Sequence, residues 1–414
     1  MNDDGMLNAE TQRKLPQGEI LQPKLRFKGF TDPWQQRKLE ELLIPAKAKN
    51  VDGKFTKNDV LSVSGEFGIV NQIALKGKSS AGESVLLYSV VNWGDAVYTK
   101  SPLKEAPYGI IKVNQGRAGI VSTLYAVYTL RQHLIVPVFL ELYFDSNVRL
   151  NNYLKPLVNK GAKNDMKVKN VDVLKGHIHI TPNVVEQARI AEFFRVLDDR
   201  IAAAKKKADL LKLKKRYYLQ AIFNQRLRFK GFTEPWQQRK LGELFKERSE
   251  RSNQGELISV TITNGVVPAS SLERKDNSSE DKSNYKQVKT GDIAYNTMRM
   301  WQGASGVSPY SGILSPAYTV LIPSSEVSSS FFAQMFKLVR MLHLFQRYSQ
   351  GLTSDTWNLK YPLLSEIRVT IPSLAEQERI SEFLVLNDEL TALVKKKAED
   401  LQKIKSYYLQ QLFV

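Results

Sequence analysis

Two stretches of the chain carry a long helical pattern. From 186 to 223, Ile190, Phe194, Leu197, Ile201, Ala204, Ala208, Leu211, Tyr218 and Ile222 step by fours and threes, with Lys215 interrupting. From 376 to 413, Ile380, Leu384, Val394, Ala398, Leu401, Tyr408 and Leu412 repeat the stripe, interrupted by Asn387 and Lys405. This is the spacing of a heptad seam. Neither stretch contains Gly or Pro, and Pro182 and Pro372 stand just before them. The pattern predicts two helices of roughly 55–60 Å each, at 1.5 Å per residue. A seam this long needs a partner. The nearest available is the other copy, so the two helices are expected to pack together.

The helices belong to a larger repeat. EQARIAEFFRVLDDRIAAAKKKADLLKLKKRYYLQAIF at 186–223 and EQERISEFLVLNDELTALVKKKAEDLQKIKSYYLQQLF at 376–413 align without a gap, 190 positions apart. The KKK at 205–207 and 395–397 and the YYLQ at 217–220 and 407–410 are kept. A solvated helix face is the favoured reading of each lysine triplet, with phosphate contact the lesser one. A second repeated phrase opens each half: LRFKGFTDPWQQRKL at 25–39 and LRFKGFTEPWQQRKL at 227–241 differ only at Asp32 and Glu234. The order is therefore phrase, variable block, long helix, twice over. A kept frame with changed inserts suits a two-headed adaptor, holding one kind of partner twice while recognising two different things.

The blocks, about 43–181 and 245–371, show no convincing identity, but short apolar runs between glycines predict strands joined by tight loops. Gly94-Asp95 and Gly291-Asp292 read as equivalent turns, which suggests a shared mixed α/β fold. Helices are expected at 136–154 and 331–348. In the second block, NTMRMWQGASG concentrates Asn296, Thr297, Arg299, Trp301 and Gln302. Arg pairs with guanine, and Asn or Gln with adenine, through two hydrogen bonds each, so these are side chains suited to base edges. The alternative is an ordinary loop around a buried Trp. The parallel string in the first block offers Lys100, Ser101, Lys104, Tyr108 and Arg117. Polar loops at 158–170 and 348–361, the latter with Ser354, are expected near the same surface.

Composition narrows the partners. Sixty Lys and Arg against 42 Asp and Glu give a net charge of +18, which favours a polyanion, nucleic acid before membrane or acidic protein. There is no Cys, so disulfides and thiolate metal sites are excluded, in keeping with a reducing cytoplasm. At 414 residues two or more domains are expected. No stretch reads as a membrane span, and residues 1–24 read as a mobile polar leader. His177 and His179 fall on one face of a strand, with no third metal ligand nearby in the sequence. GKS at 77–79 lacks the upstream Gly of a phosphate loop, since position 72 is Gln72. TDPW at 31–34 lacks the second proline of an amino-group methyltransferase loop. No catalytic constellation is visible, so catalytic, cofactor and metal residues are expected to be none.

PWQQRKL opening each half, PNVVEQARI at 182–190, IPSLAEQERI at 371–380, and the strings NTMRMWQGASG and GILSPAYTV together resemble the specificity subunits of type I restriction–modification enzymes. The likeness runs from about residue 25 to the end. It implies an α+β fold: two mixed α/β target-recognition domains separated by two long antiparallel coiled-coil helices, with a pseudo-two-fold internal repeat. Recognition domains are then expected at 25–181 and 225–371, and spacer helices at 182–224 and 372–414. The resemblance implies a non-catalytic subunit of a bacterial defence system, nucleoid-associated in the cytoplasm. Each domain would read one half of a split, asymmetric double-stranded DNA target. Two modification subunits carrying adenine-N6 methylation would dock on the helical frame, with Trp34, Gln187, Tyr217, Trp236, Gln377 and Tyr407 as candidate contacts. S-adenosylmethionine, ATP and Mg would belong to the modification and restriction (translocase and nuclease) subunits. A non-DNA scaffold of two interaction modules bridged by a coiled coil is the alternative. It explains the repeats but not the charge.

Overall fold

The computed structural model describes residues 22–414, apart from 83, 161–165 and 274–277. The leader thus lies outside the described residues up to residue 21, as does part of the 158–170 loop. The two heptad stretches form helices Val184–Phe223 and Leu374–Gln411, of 40 and 38 residues. Asn183 starts the first. Its side-chain oxygen accepts from the amides of Val185 and Glu186 at 3.0 and 3.3 Å, two donors with no helical carbonyl to meet. That helix ends where Gln225 adopts φ +56 and the Arg226 amide returns to the Ala221 carbonyl.

The described residues form two compact units, one up to residue 205 with 396–414, and one of residues 206–395. Each contains one phrase-and-block and half of each long helix, so the units cut both helices near the middle instead of leaving them as separate segments. Within each unit the helices run antiparallel. In the first, Lys405 Nζ donates to Asp198 at 2.7 and 2.9 Å, and Phe193 meets Tyr408 edge to face at 5.0 Å. In the second, Lys215 donates to Asp388 at 2.6 Å and Tyr218 meets Phe383 at 5.2 Å. These are the same pairs 190 positions on, with the helices exchanged. The lysines that break the hydrophobic seam therefore each find an aspartate on the opposite helix. A polar seam position of this kind fixes register at some cost in stability. Both lysine triplets are exposed.

The blocks share one plan. In the first unit an antiparallel four-stranded sheet has the order Leu43–Pro45, Tyr125–Leu130, Ala96–Thr99, Ile111–Val113. In the second the order is Phe245–Glu247, Tyr318–Pro323, Ile293–Asn296, Ser305–Val307. Each unit adds a hairpin, Leu61–Ser64 with Gly68–Asn71 or Ile258–Thr261 with Gly265–Pro268, and a further strand pair. The two Gly-Asp turns are equivalent. Gly94 and Gly291 have φ of +84 and +92, a conformation favouring glycine, and Asp95 and Asp292 accept from the amides of Asn92 and Lys289, both at 2.8 Å. The expected helices are each broken in two, at Pro137–Phe144 and Asn147–Leu154, and at Ser329–Met335 and Val339–Tyr348.

The repeated phrase closes each block on itself. Its QQRK strand, Gln35–Lys38 or Gln237–Lys240, pairs antiparallel with the strand leading into the long helix, His177–Ile180 or Arg368–Ile371. On the first of these leading strands Ile178 and Ile180 point inward, while His177 is exposed and His179 half-buried. One residue group in each phrase also grips the helix start. Arg26 donates to both carboxylate oxygens of Glu186 at 2.6 and 2.8 Å, and Arg228 to those of Glu376 at 3.0 and 2.6 Å. The cores are aromatic, and each is plugged by a helix end. Phe413 packs between Trp34 and Phe139 in the first unit, and Phe223 between Trp236 and Phe331 in the second.

Candidate nucleic-acid interface

In the second unit the strand Ile293–Asn296 leads into a loop through 304 that contains one short 3₁₀ turn, Met300–Gln302. Gly303 closes it at φ +87. Lys337 braces it from beneath. Its ammonium donates to the Gly303 carbonyl and, at 3.3 Å, to that of Ile262, and burial lowers its pKa. The loop at 349–358 is drawn to the same place. Trp357 meets Trp301 edge to face at 5.1 Å, and the Leu359 amide donates to the Thr297 carbonyl at 2.9 Å. Asn296, Thr297, Arg299, Trp301, Gln302 and exposed Ser354 are thereby gathered at one end of the sheet.

Their roles divide. Thr297 is buried and its hydroxyl donates to the Ala317 carbonyl at 2.8 Å, so it shapes the loop and is withdrawn as a base reader. The Asn296 side-chain oxygen Oδ1 accepts from the Met298 amide at 3.0 Å. Trp301 Nε1 donates to the Met298 carbonyl at 3.1 Å, and its ring is held by Trp357, which makes it a brace. Arg299 and Gln302 are half-buried and have no side-chain hydrogen bond or ion pair among the described residues. They are the loop's two polar side chains left for an outside partner. Trp357 and Lys337 are the residues of this site that the sequence pattern does not mark out. A tryptophan in a polar loop was the available signal for the first, and nothing local marked the second.

In the first unit the equivalent end of the sheet carries the loop 100–109, where Ser101 and Lys104 are exposed and Lys100 and Tyr108 partly so. Gly109 holds the turn at φ +88, and a β-carbon there would lie 2.1 Å from the Thr99 carbonyl oxygen. Tyr108 packs partly against the core and its carbonyl accepts from the Tyr98 hydroxyl at 2.8 Å. Arg117 is not part of this group. Strand Ile111–Val113 runs back antiparallel to Ala96–Thr99, with Ala96 opposite Val113. Arg117 therefore emerges at the far end, beside the Gly94-Asp95 turn, about 13 Å of strand away at 3.3 Å per residue.

The proposed partner contacts also divide. Gln187 and Gln377 are 0% and 1% exposed. Gln187 Oε1 accepts from the Val136 amide, and its Nε2 donates to the carbonyls of Leu134 and Thr181. Gln377 does the same with Ser328, Glu326 and Pro372. Trp34 and Trp236 are buried around Phe413 and Phe223. These four hold the framework together and present no surface to a partner, which corrects the expectation for them. Tyr217 and Tyr407 are 58% and 52% exposed, each leaning on the inward Tyr218 or Tyr408.

Residues 233–403 match the family model of the type I restriction modification DNA specificity domain. The fold of the whole chain agrees. It superposes on the type I restriction-modification S subunit from M. genitalium with a TM-score of 0.57 at 15% identity, covering 95% of this chain and 99% of that one. The HsdS subunit of Thermoanaerobacter tengcongensis is also similar, with a TM-score of 0.47, 15% identity and coverage of 93% and 98%. No curated protein matches. The specificity-subunit likeness read from the repeated phrases is thus upheld, and with it the mixed α/β duplicated fold. Among the described residues no helix is long and apolar enough to cross a membrane.

Proposed function

We propose that this chain is the DNA specificity subunit of a type I restriction–modification complex, itself without catalytic activity. Each unit reads one half of a split, asymmetric target. The observation that carries this reading is the pair of units with one topology and different lips, Arg299 and Gln302 with Ser354 on one, Lys100, Ser101 and Lys104 on the other. Identical readers would suit a palindrome, and different ones suit unlike half-sites. The net charge of +18 supplies sequence-independent phosphate affinity, and each well-read base pair adds discrimination of roughly 1–3 kcal/mol.

The duplicated frame is the support for two docked modification subunits. Besides Tyr217 and Tyr407, both units expose the same helix-start cluster. The Arg189 guanidinium lies 5.7 Å over Phe27, and that of Arg379 lies 5.6 Å over Phe229. Two equal faces suit two copies of one partner. Those partners would bring S-adenosylmethionine and methylate adenine N6, and restriction subunits would bring ATP, Mg and cleavage. The complex would work on the nucleoid in the cytoplasm.

The test is to co-express the chain with its modification subunit in a methylation-free host and map N6-methyladenine across the genome. A single split, asymmetric motif that vanishes without this chain is expected. A folded complex that methylates nothing would favour the scaffold reading, which a lack of salt-dependent binding to duplex DNA would also support.

A further inference from the structure

Leu352 has a relative exposure of 101%, the highest among the exposed large apolar side chains of the described residues. It stands at the tip of the 349–358 loop, and the loop is built to keep it there. Gln350 and Asn358 exchange backbone hydrogen bonds at 3.0 and 2.8 Å across the base. The amides of Thr356 and Trp357 donate to the Thr353 carbonyl at 3.0 and 3.1 Å, and the Thr353 amide donates to the Thr356 hydroxyl at 3.1 Å. Gly351 takes φ +138, and a β-carbon there would lie 2.6 Å from the Thr356 carbonyl oxygen, so only glycine fits. A slack loop could fold a leucine back onto the protein. This one holds it in water, forgoing burial that an apolar side chain would otherwise gain.

The position of the tip says what it meets. The loop is fastened at its base to the 296–304 loop through Trp357–Trp301 and Leu359–Thr297, beside Arg299 and Gln302. Its exposed side chains are Gln350, Leu352, Thr353, Ser354, Asp355 and Thr356, with no cation among them. That set is unsuited to phosphate. It suits base edges, where apolar side chains touch the thymine methyl or wedge into an opened step, and Asp accepts from cytosine N4. We propose that Leu352 contacts a base in the half-site read by the second unit, taking up its apolar surface. The proposal rests on the DNA-reading function above and names one residue that performs it.

The experiment uses the complex with modification subunits, comparing wild type with Leu352→Ala and Leu352→Gln. Wild type must first methylate a split motif, and its failure to do so would sink the DNA-reading function and this proposal together. Given a motif, both variants are expected to keep the wild-type melting temperature. They should methylate the cognate duplex about 5–150-fold more slowly. One base of one half-site should become relaxed in the methylation map, the other half staying intact. Deoxyuridine in place of each thymine separates the two modes. If one such substitution slows wild type to the Leu352→Ala rate, with no further effect in the variant, Leu352 reads a methyl group. If instead 2-aminopurine beside the site brightens with wild type and not with the variant, it is a wedge. Unchanged rate and motif in both variants, or a loss spread equally over both half-sites, would overturn the proposal and leave the parent function standing.

Discussion

Arg299 and Gln302 differ from their neighbours in the same loop by what their polar atoms do. The Asn296 side-chain oxygen and Trp301 Nε1 bond the loop's own backbone at Met298, and the Thr297 hydroxyl bonds the Ala317 carbonyl. Arg299→Ala is therefore expected to relax one base of one half-site, a cost of about 1–3 kcal/mol of discrimination, while the other half stays intact. The methylation map reads this directly, and an equal loss over both halves would point to a phosphate or folding role. A second contrast concerns the paired turns. Asp292 is held by Arg248, whose guanidinium donates to both its oxygens at 2.7 and 2.9 Å. Among the described residues Asp95 has no such cation, and burial raises its pKa above the ordinary 3.8. The folded state then holds the proton more tightly than the unfolded state. Stability contributed by protonated Asp95 is full below 3.8 and is lost as pH rises through the raised value. Asp95→Asn should remove that decline, making the variant more stable than wild type at pH near 7 and no more so in acid. Urea unfolding at the two pH values checks it, and an equal difference at both would refute the sign.

At the scale of elements, the seam and its breaks can now be read together. Leucine in place of Lys215 or Lys405 would extend the hydrophobic stripe, but each lysine meets an aspartate of the opposite helix and so helps to set register. In the proposed function the paired helices set the gap between half-sites, and their length can be changed. Inserting four residues, about one turn or 5.4 Å, into both helices should lengthen the gap between half-sites by one to two base pairs, at about 3.4 Å each. Sequencing of methylated sites measures the gap. An unchanged gap in a folded, active complex would rule that role out. The helix positions were legible because period and capping are local properties. The lysine partners were not, since they lie more than 170 positions away in the chain.

At the scale of the whole molecule, each unit is finished by a helix end from the opposite half of the sequence. Just past the end of the second long helix, Phe413 sits in the first unit's core, and the first long helix ends with Phe223 in the second's. Phe413→Ala removes a buried ring, which typically costs about 3–5 kcal/mol. Its effect should fall on the first unit, though the substitution lies at the chain's far end. Hydrogen exchange at Ala96–Thr99 is expected to quicken, with Ile293–Asn296 left as in wild type. Equal quickening of both strands would show that the units unfold as one.

By itself the sequence determined the repeat, the two long helices with their seam breaks, and the common plan of the blocks, through the paired Gly-Asp turns. It could do so because periodicity and near-identity are comparisons within the chain and need no knowledge of neighbours. Only the tertiary structure decided that Trp34, Trp236, Gln187 and Gln377 face inward and that Arg117 lies away from Lys100. It alone decided that Trp357 brings a second loop to Arg299. A polar side chain looks the same in sequence whether it caps its own backbone or points to solvent, and a residue repeated in both frames looks the same whether it binds a partner or fills a core. The difference is set by which distant residues pack around it, and that is a property of the folded chain.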